Sequence, residues 1–296
     1  MNQGGNGGGV ARRGDLQRAQ RSERGGGPQR QHTDDHHGRT ENIIGFPIST
    51  EPLDALVDRS LSWIASAERG HYFVCANPHS LEVARQDALF AQAIFEADFV
   101  VPDGVGIVYA SRLLGGVIRQ RIAGADLFRA VNARLSAEGG RRCFFLGSTP
   151  GNLENIRRRM ASEYPGVELS GCYSPPFKPA FSTEESKEMV DAVNVARPDL
   201  LWVGMTAPKQ ETWVSAHRSE LDVKFIGPVG AVFDFFTGNV PRSSPWFLDH
   251  GLEWLPRLLR QPGRLWRRNF VSSPAFLLRV LRQRFAAGTL QGRDGF

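Results

Sequence analysis

The residues best placed for chemistry lie in Phe99-Val100-Val101-Pro102-Asp103-Gly104-Val105-Gly106-Ile107. A short apolar run ends on a carboxylate, two glycines follow, and a helix-like apolar segment continues to Leu114. In α/β proteins ligands bind outside the carboxyl ends of parallel strands, where such a loop would lie. Gly104 and Gly106 would let a ligand approach the backbone, and the next helix would offer free N–H groups to an anion. On this stretch alone Asp103 reads equally as a general base, a ligand-orienting carboxylate, or half of a tight Asp-Gly turn.

The elements that must position Asp103 follow from the pattern around it. A helix is expected from Pro52 to Ala67, with Leu53, Leu56, Val57, Leu61 and Ile64 on one face and Ser49 or Thr50 as its cap. Tyr72 to Ala76 is a strand-length apolar run ending in Asn77-Pro78-His79-Ser80, and a helix from about Leu81 to Ala97 follows. Strands are expected at 143–146, 167–173, 200–203 and 225–229. Helices are expected at about 152–163, 183–196 and 209–219, the second with Thr183 and Ser186 as a weak capping signal. Asp126 reads as the N-cap of a further helix. Five or six strands alternating with helices define a Rossmann-like α/β fold: a mainly parallel sheet with helices on both faces. Neither a G-x-G-x-x-G nor a P-loop is present, so an NAD or ATP site of those types is not supported.

The ends of the chain differ from this middle. The chain has 296 residues and a net charge of +5. Residues 1–41 hold almost no apolar side chains and read as a disordered tail; His32, His36 and His37 there read as solvated, not as metal ligands. No 18-residue apolar run and no secretory leader is evident, so a cytoplasmic chain without a membrane span is expected. Cys75, Cys143 and Cys172 are too few and too scattered for a disulfide framework or a zinc site, and read as buried free thiols. Residues 42–250 form the α/β domain, and 251–296 a basic amphipathic helical appendage. Between Gly251 and Arg284 stand eight arginines and one acidic residue, Glu253, among Trp254, Leu255, Leu258, Trp266, Phe270 and Phe276. That composition suits an anionic membrane interface, an amphipathic helix packed on its own domain, or nucleic-acid binding.

Four segments together resemble the bacterial WecG/TagA/CpsF glycosyltransferases, glycosyltransferase family 26. They are Ala76-Asn77-Pro78; the stretch from Ala97 through Asp103 and Gly106, continuing to Arg121-Ile122-Ala123-Gly124-Ala125-Asp126-Leu127; Pro198 to Gly204 with Ala207-Pro208-Lys209-Gln210-Glu211; and Gly230 to Gly238, leading into Gly251 to Arg257. The match covers roughly residues 43 to 270, and its specificity lies in the order of all four.

The resemblance implies a cytoplasmic enzyme, peripheral on the inner face of the plasma membrane. Such an enzyme moves an N-acetylmannosamine-type, glucose-type or uronic acid sugar from a UDP-sugar donor to a polyprenyl-diphosphate-linked saccharide. It does so with inversion, without cofactor or metal, and its products feed cell-surface polysaccharides. The alternative is a non-catalytic nucleotide-sugar-binding protein on the same fold. Asp103 matches the family's proposed base and Arg121 an active-site arginine. Asn77, Gly104, Gly106, Gly124, Gly204, Gln210 and Glu211 match substrate-side positions. Each has a plainer reading: Asn77 as a turn residue, Arg121 as a surface ion pair, and Gln210 and Glu211 as helix N-terminal residues. Arg257, Arg264, Arg267 and Arg268 are candidates to meet a lipid diphosphate at an anionic membrane surface. Under the resemblance nucleic acid is not an expected partner, and a partly apolar tail would permit a homo-oligomer. Two departures stand out. Cys75 occupies a position where many members carry Thr, and Gly204-Met205-Thr206-Ala207-Pro208 replaces the usual Gly-x-Gly-x-Pro.

Overall fold

A computed structural model describes residues 39–239 and 271–291. Arg257, Arg264, Arg267 and Arg268, the three histidines of the N-terminal segment, and most of the residues assigned above to a tail lie outside them. All described residues fall in one contact unit, 35–296.

The centre is a six-stranded sheet whose neighbouring strands are all parallel. Its strands are β3 (His71–Ala76), β4 (Phe99–Pro102), β5 (Arg141–Gly147), β6 (Val167–Tyr173), β7 (Leu200–Gly204) and β8 (Phe225–Pro228), in the order β4-β3-β8-β7-β5-β6. The chain leaves β5 outward to β6 but leaves β7 inward to β8, so the carboxyl ends of β5 and β7 form a topological switch point. Alternate strand residues feed two cores. Tyr72, Val74, Val100, Leu146, Val203 and Ile226 face one core; Phe73, Phe99, Val101, Phe145, Trp202 and Phe225 face the other.

Helices cover both faces. On the second core lie α1 (Leu53–Ala65), α5 (Gly124–Glu138), α6 (Pro150–Glu163) and α9 (Val232–Thr237). On the first lie α2 (Pro78–Ala84), α3 (Ala88–Phe95), α4 (Val105–Leu114), α7 (Thr183–Ala196), α8 (Lys209–His217) and the C-terminal α10 (Ser273–Gln291). The Rossmann-like α/β arrangement expected from the sequence is therefore present.

Several local details differ from the expectation. The single helix over 81–97 is two. Asn77 and Pro78 start α2 three residues early, and Asp87 starts α3 anew by accepting from the Phe90 N–H at 3.1 Å. Asp126 is the third residue of α5, not its cap; its Oδ2 accepts the Ala123 N–H at 3.1 Å. Neither Ser49 nor Thr50 caps α1, which follows Pro52 without a side-chain cap. Ser182, paired with Glu185, caps α7 instead of Thr183. Before α1 stands an unexpected hairpin, β1 (Thr40–Ile43) with β2 (Phe46–Ser49).

The C-terminal helix α10 packs across α2 and α4. Phe276 (4% exposed) and Val280 (0%) enter the first core, each such burial contributing about 1.5–3 kcal/mol. Its outer side exposes Leu277, Leu278 and Phe285. No described helix is long and apolar enough to cross a membrane.

Candidate functional site

Six loops leave the carboxyl edge of the sheet, and backbone hydrogen bonds join several of them. The Asp103 N–H donates to the Ala76 carbonyl at 2.8 Å, which fixes the loop after β4 against the end of β3. The Ile122 N–H donates to the Pro102 carbonyl at 2.9 Å, so the segment carrying Arg121 is held beside the end of β4. The Val229 and Gly230 N–H groups both donate to the Val203 carbonyl, joining the loops after β7 and β8.

On this edge Asn77, Asp103, Gly104 and Gly106 form one wall. Asn77 Oδ1 accepts from the His79 and Ser80 N–H groups at 3.1 and 3.0 Å, while Ser80 Oγ accepts the Asn77 N–H. That is a capping box, so the turn-and-cap reading of Asn77 holds. Its Nδ2 makes no hydrogen bond among the described residues and stays available. Gly104 sits at φ +107°, a conformation that L side chains rarely adopt, with Asn77 Cβ against it. A methyl group on Gly106 would stand 2.5 Å from Pro78 Cγ. Gly106 is thus required for the fit of α2 against α4, and Gly104 for the left-handed turn that opens the backbone.

Cys75 is the meeting point of this wall with the rest of the site. A methyl group on Gly124 would stand 2.9 Å from its Sγ, so the start of α5 lies directly against the thiol. Burial pushes the Cys75 thiol well above its ordinary range, and the negative charges of Asp103, Glu211 and Asp126 add to the effect. A backbone hydrogen bond from Gly124 acts the other way. One sulfur in the field of three carboxylates brings β3, the Asp103 loop, α5 and α8 to one place. Cys75, Cys143 and Cys172 are all free, and only Cys143 is fully buried.

Gln210 and Glu211 lie beneath the surface, 4% and 2% exposed. Gln210 Oε1 accepts the Met205 N–H at 3.2 Å, and its Nε2 donates to Glu211 Oε1 at 2.8 Å. Both ends of the Gln210 amide are therefore engaged inside the protein. Glu211 Oε2 is buried without a hydrogen-bond partner among the described residues. Burial raises the Glu211 carboxyl from its ordinary 4.5 to about 7, against the opposing bond from Gln210. The folded protein thus holds a proton that the unfolded chain releases between those values. Glu211 takes nothing from stability below pH about 4.5, progressively more as pH rises to about 7, and a constant amount above that. Glu211→Gln keeps an acceptor for Gln210 and removes the titration. Urea denaturation at pH 5 and pH 8 should show wild type losing roughly 3 kcal/mol more than the variant across that interval. Parallel losses in the two proteins would contradict the assignment.

The switch point carries a second polar group. Gly147 and Ser148 turn at φ +111° and +65°. Ser148 Oγ and Asp234 Oδ1 accept from Asn152 Nδ2 at 2.8 and 3.1 Å, and Asn152 Oδ1 accepts from Asn239 Nδ2 at 2.7 Å. This cluster joins the loop after β5 to α6 and α9. The sequence reading did not single out Ser148, Asn152 or Asp234 as site residues. Their only signals were the Gly-Ser-Thr-Pro-Gly loop and the presence of Asp234 within the fourth motif. Gly204 is packed tightly here: a methyl group on it would overlap the Phe233 ring, and one on Gly147 would stand 2.5 Å from the Gly204 carbonyl oxygen.

Of the helices that begin at this edge, α4, α5, α8 and the short α9 have no side-chain N-cap. The first N–H groups of the three longer helices are the natural seats for anionic oxygens. No described group of three or more His, Cys, Asp and Glu residues is arranged to hold a metal ion.

A parallel sheet with a switch point, uncapped helix starts, and an aspartate at a strand's carboxyl end has the layout of an α/β enzyme that binds its ligands at this edge. The profile of the glycosyl transferase WecG/TagA/CpsF family matches residues 41–289, and the chain belongs to that family of glycosyltransferases. It is 31% identical over 250 residues to an N-acetylglucosaminyldiphosphoundecaprenol N-acetyl-beta-D-mannosaminyltransferase of Bacillus spizizenii, covering 81% of this chain and 94% of the relative. Proteins of the same description from Bacillus subtilis and Staphylococcus aureus are 27% and 25% identical. The first alignment covers 83% of this chain and 92% of that relative, the second 81% and 91%.

Proposed function

We propose that this chain transfers a sugar from a UDP-sugar to a polyprenyl-diphosphate-linked saccharide, with inversion, in the synthesis of a cell-surface polysaccharide. The relatives' descriptions favour an N-acetylmannosamine-type sugar among the three considered. The observation that carries the reading is the meeting of Asn77, Asp103, Gly124 and Glu211 around Cys75 at the carboxyl edge of the sheet.

In this reading Asp103 takes the proton of the acceptor hydroxyl as its oxygen attacks the anomeric carbon. The bond from that carbon to the UDP oxygen breaks on the opposite face, and its electron pair leaves with the diphosphate. Arg121 and the uncapped N–H groups of α4 and α5 meet the developing negative charge. Asn77 Nδ2 offers a donor to a sugar hydroxyl. Gln210 and Glu211 support the floor from below through Met205 instead of contacting the sugar. The switch-point loops, with Ser148, Asn152 and Asp234 behind them, receive the nucleotide end of the donor.

The lipid-linked acceptor makes the membrane surface the expected place of work. Exposed Leu277, Leu278 and Phe285 on α10 support peripheral attachment there, and Arg257, Arg264, Arg267 and Arg268 remain candidates to meet the lipid diphosphate. The test is a panel of UDP-sugars with a detergent-solubilised polyprenyl-diphosphate-linked N-acetylglucosamine. UDP release is expected with one donor and only when acceptor is present. Calorimetry showing no UDP binding at all would overturn the reading; UDP binding with no release from any donor or acceptor would favour the non-catalytic alternative.

A further inference from the structure

α2 has only seven residues, too few to hold itself as a helix without tertiary support. Yet its first turn forms a wall of the site: Asn77 lies against Gly104, and Pro78 against Gly106. Leu81 and Ala84 anchor it in the core. Its buried face also carries Glu82, 5% exposed, a charge that requires a partner when buried. That partner comes from the other end of the chain: Arg279 Nε of α10 stands 3.0 Å from Glu82 Oε1 and 3.1 Å from Oε2. The C-terminal segment is pinned on either side of this pair, just before α10 and within it. Ser272 Oγ and His79 Nδ1 hydrogen-bond at 2.8 Å. Gln283 donates to the Asn42 carbonyl at 2.9 Å and accepts the Ile44 N–H at 2.7 Å.

We propose that the Glu82–Arg279 pair is a positioning device, through which the C-terminal helix fixes α2 and so sets where Asn77 and the Asp103 loop stand. Neither residue touches substrate; both act through the wall that α2 presents. The seating of α10 and the competence of the site are thereby coupled. The idea rests on the proposed transferase reading for its kinetic arm only.

The test compares Arg279→Met, Arg279→Lys and Glu82→Gln in the full chain, with Lys187→Met as a control that removes an exposed ion pair on α7. Hydrogen exchange is read at residues 78–84 and 104–107, and kinetics well below the melting temperature. Arg279→Met should speed exchange in both segments and lower kcat about ten- to a hundredfold, as small misplacements of a site do, with KM for the donor little changed. Arg279→Lys should recover most of that loss, Glu82→Gln should fall between, and Lys187→Met should match wild type. Should Arg279→Met fail to fold, Glu82→Gln, which keeps shape and removes charge, carries both readouts. Wild-type exchange at 104–107 in the variants, or faster exchange with unchanged kcat, would overturn the proposal. A wild-type protein that turns over no donor would remove the transferase reading, while exchange at 104–107 would still decide whether the pair acts on the Asp103 loop.

Discussion

Asp103→Asn should lower kcat by about 10²–10⁴-fold while leaving donor affinity close to wild type. The amide keeps the size and shape of the carboxylate but cannot take a proton from an attacking hydroxyl. The backbone hydrogen bonds that hold the loop do not use the carboxylate. Its N–H bonds to the Ala76 and Val101 carbonyls remain, and Gly104 and Gly106 keep their places against Asn77 and Pro78. Calorimetric UDP binding and thermal melting should therefore match wild type. Steady-state rates, with UDP release as the readout, measure the loss. Full activity in the variant would remove Asp103 as the base. Equal loss of activity and UDP affinity would make it a binding residue instead.

Gly204→Ala should be strongly damaging for a single added methyl group. The added carbon would overlap the Phe233 ring, and the Gly204 carbonyl already bounds Gly147 across the switch point. Phe233 is fully buried and cannot rotate into free space. The strain must pass into α9, which carries Asp234 and its bond to Asn152. Overpacking of this kind costs about 1–3 kcal/mol, or a melting temperature lower by roughly 3–10 °C for a domain of this size. Nucleotide affinity should fall with it, because Asp234 and the Ser148 loop move together. A variant that melts like wild type and binds UDP normally would show that α9 does not depend on this contact.

Much of this was legible in the sequence, for reasons that particular residues show. Strands covered on both faces read as unbroken apolar runs, so β3, β5, β7 and β8 were plain. Asp103 stood out because a strand, a carboxylate and two glycines follow one another, and Asn77 because a strand ends on Asn-Pro. The hairpin before α1 was not legible. Its turn is Ile44-Gly45 at φ 47° and 98°, a primed turn that ordinarily announces itself with Asn-Gly. The break between α2 and α3 was missed because the apolar spacing runs through it; Asp87, a cap, is the only interruption. Gln210 looked like a substrate amide because side-chain type cannot tell whether a hydrogen-bonding group is already engaged. The Met205 N–H and Glu211 engage it. The Ser148–Asn152–Asp234 cluster joins the turn after β5 and the start of α6 to Asp234, 82 residues further on, and exists only once the switch point brings them together. Likewise, the basic content of the C-terminal segment suggested a surface role, while Phe276, Val280 and Arg279 turn part of it inward.

The most direct test of the transferase account is the linkage in the product. Purified protein is given an α-linked UDP-N-acetylmannosamine and a polyprenyl-diphosphate-linked N-acetylglucosamine, and the anomeric configuration of the new glycoside is read by NMR. Attack by the acceptor oxygen, with Asp103 removing its proton, predicts a β-glycoside and one UDP released per product. An α-glycoside, or free sugar with no transfer, would contradict it.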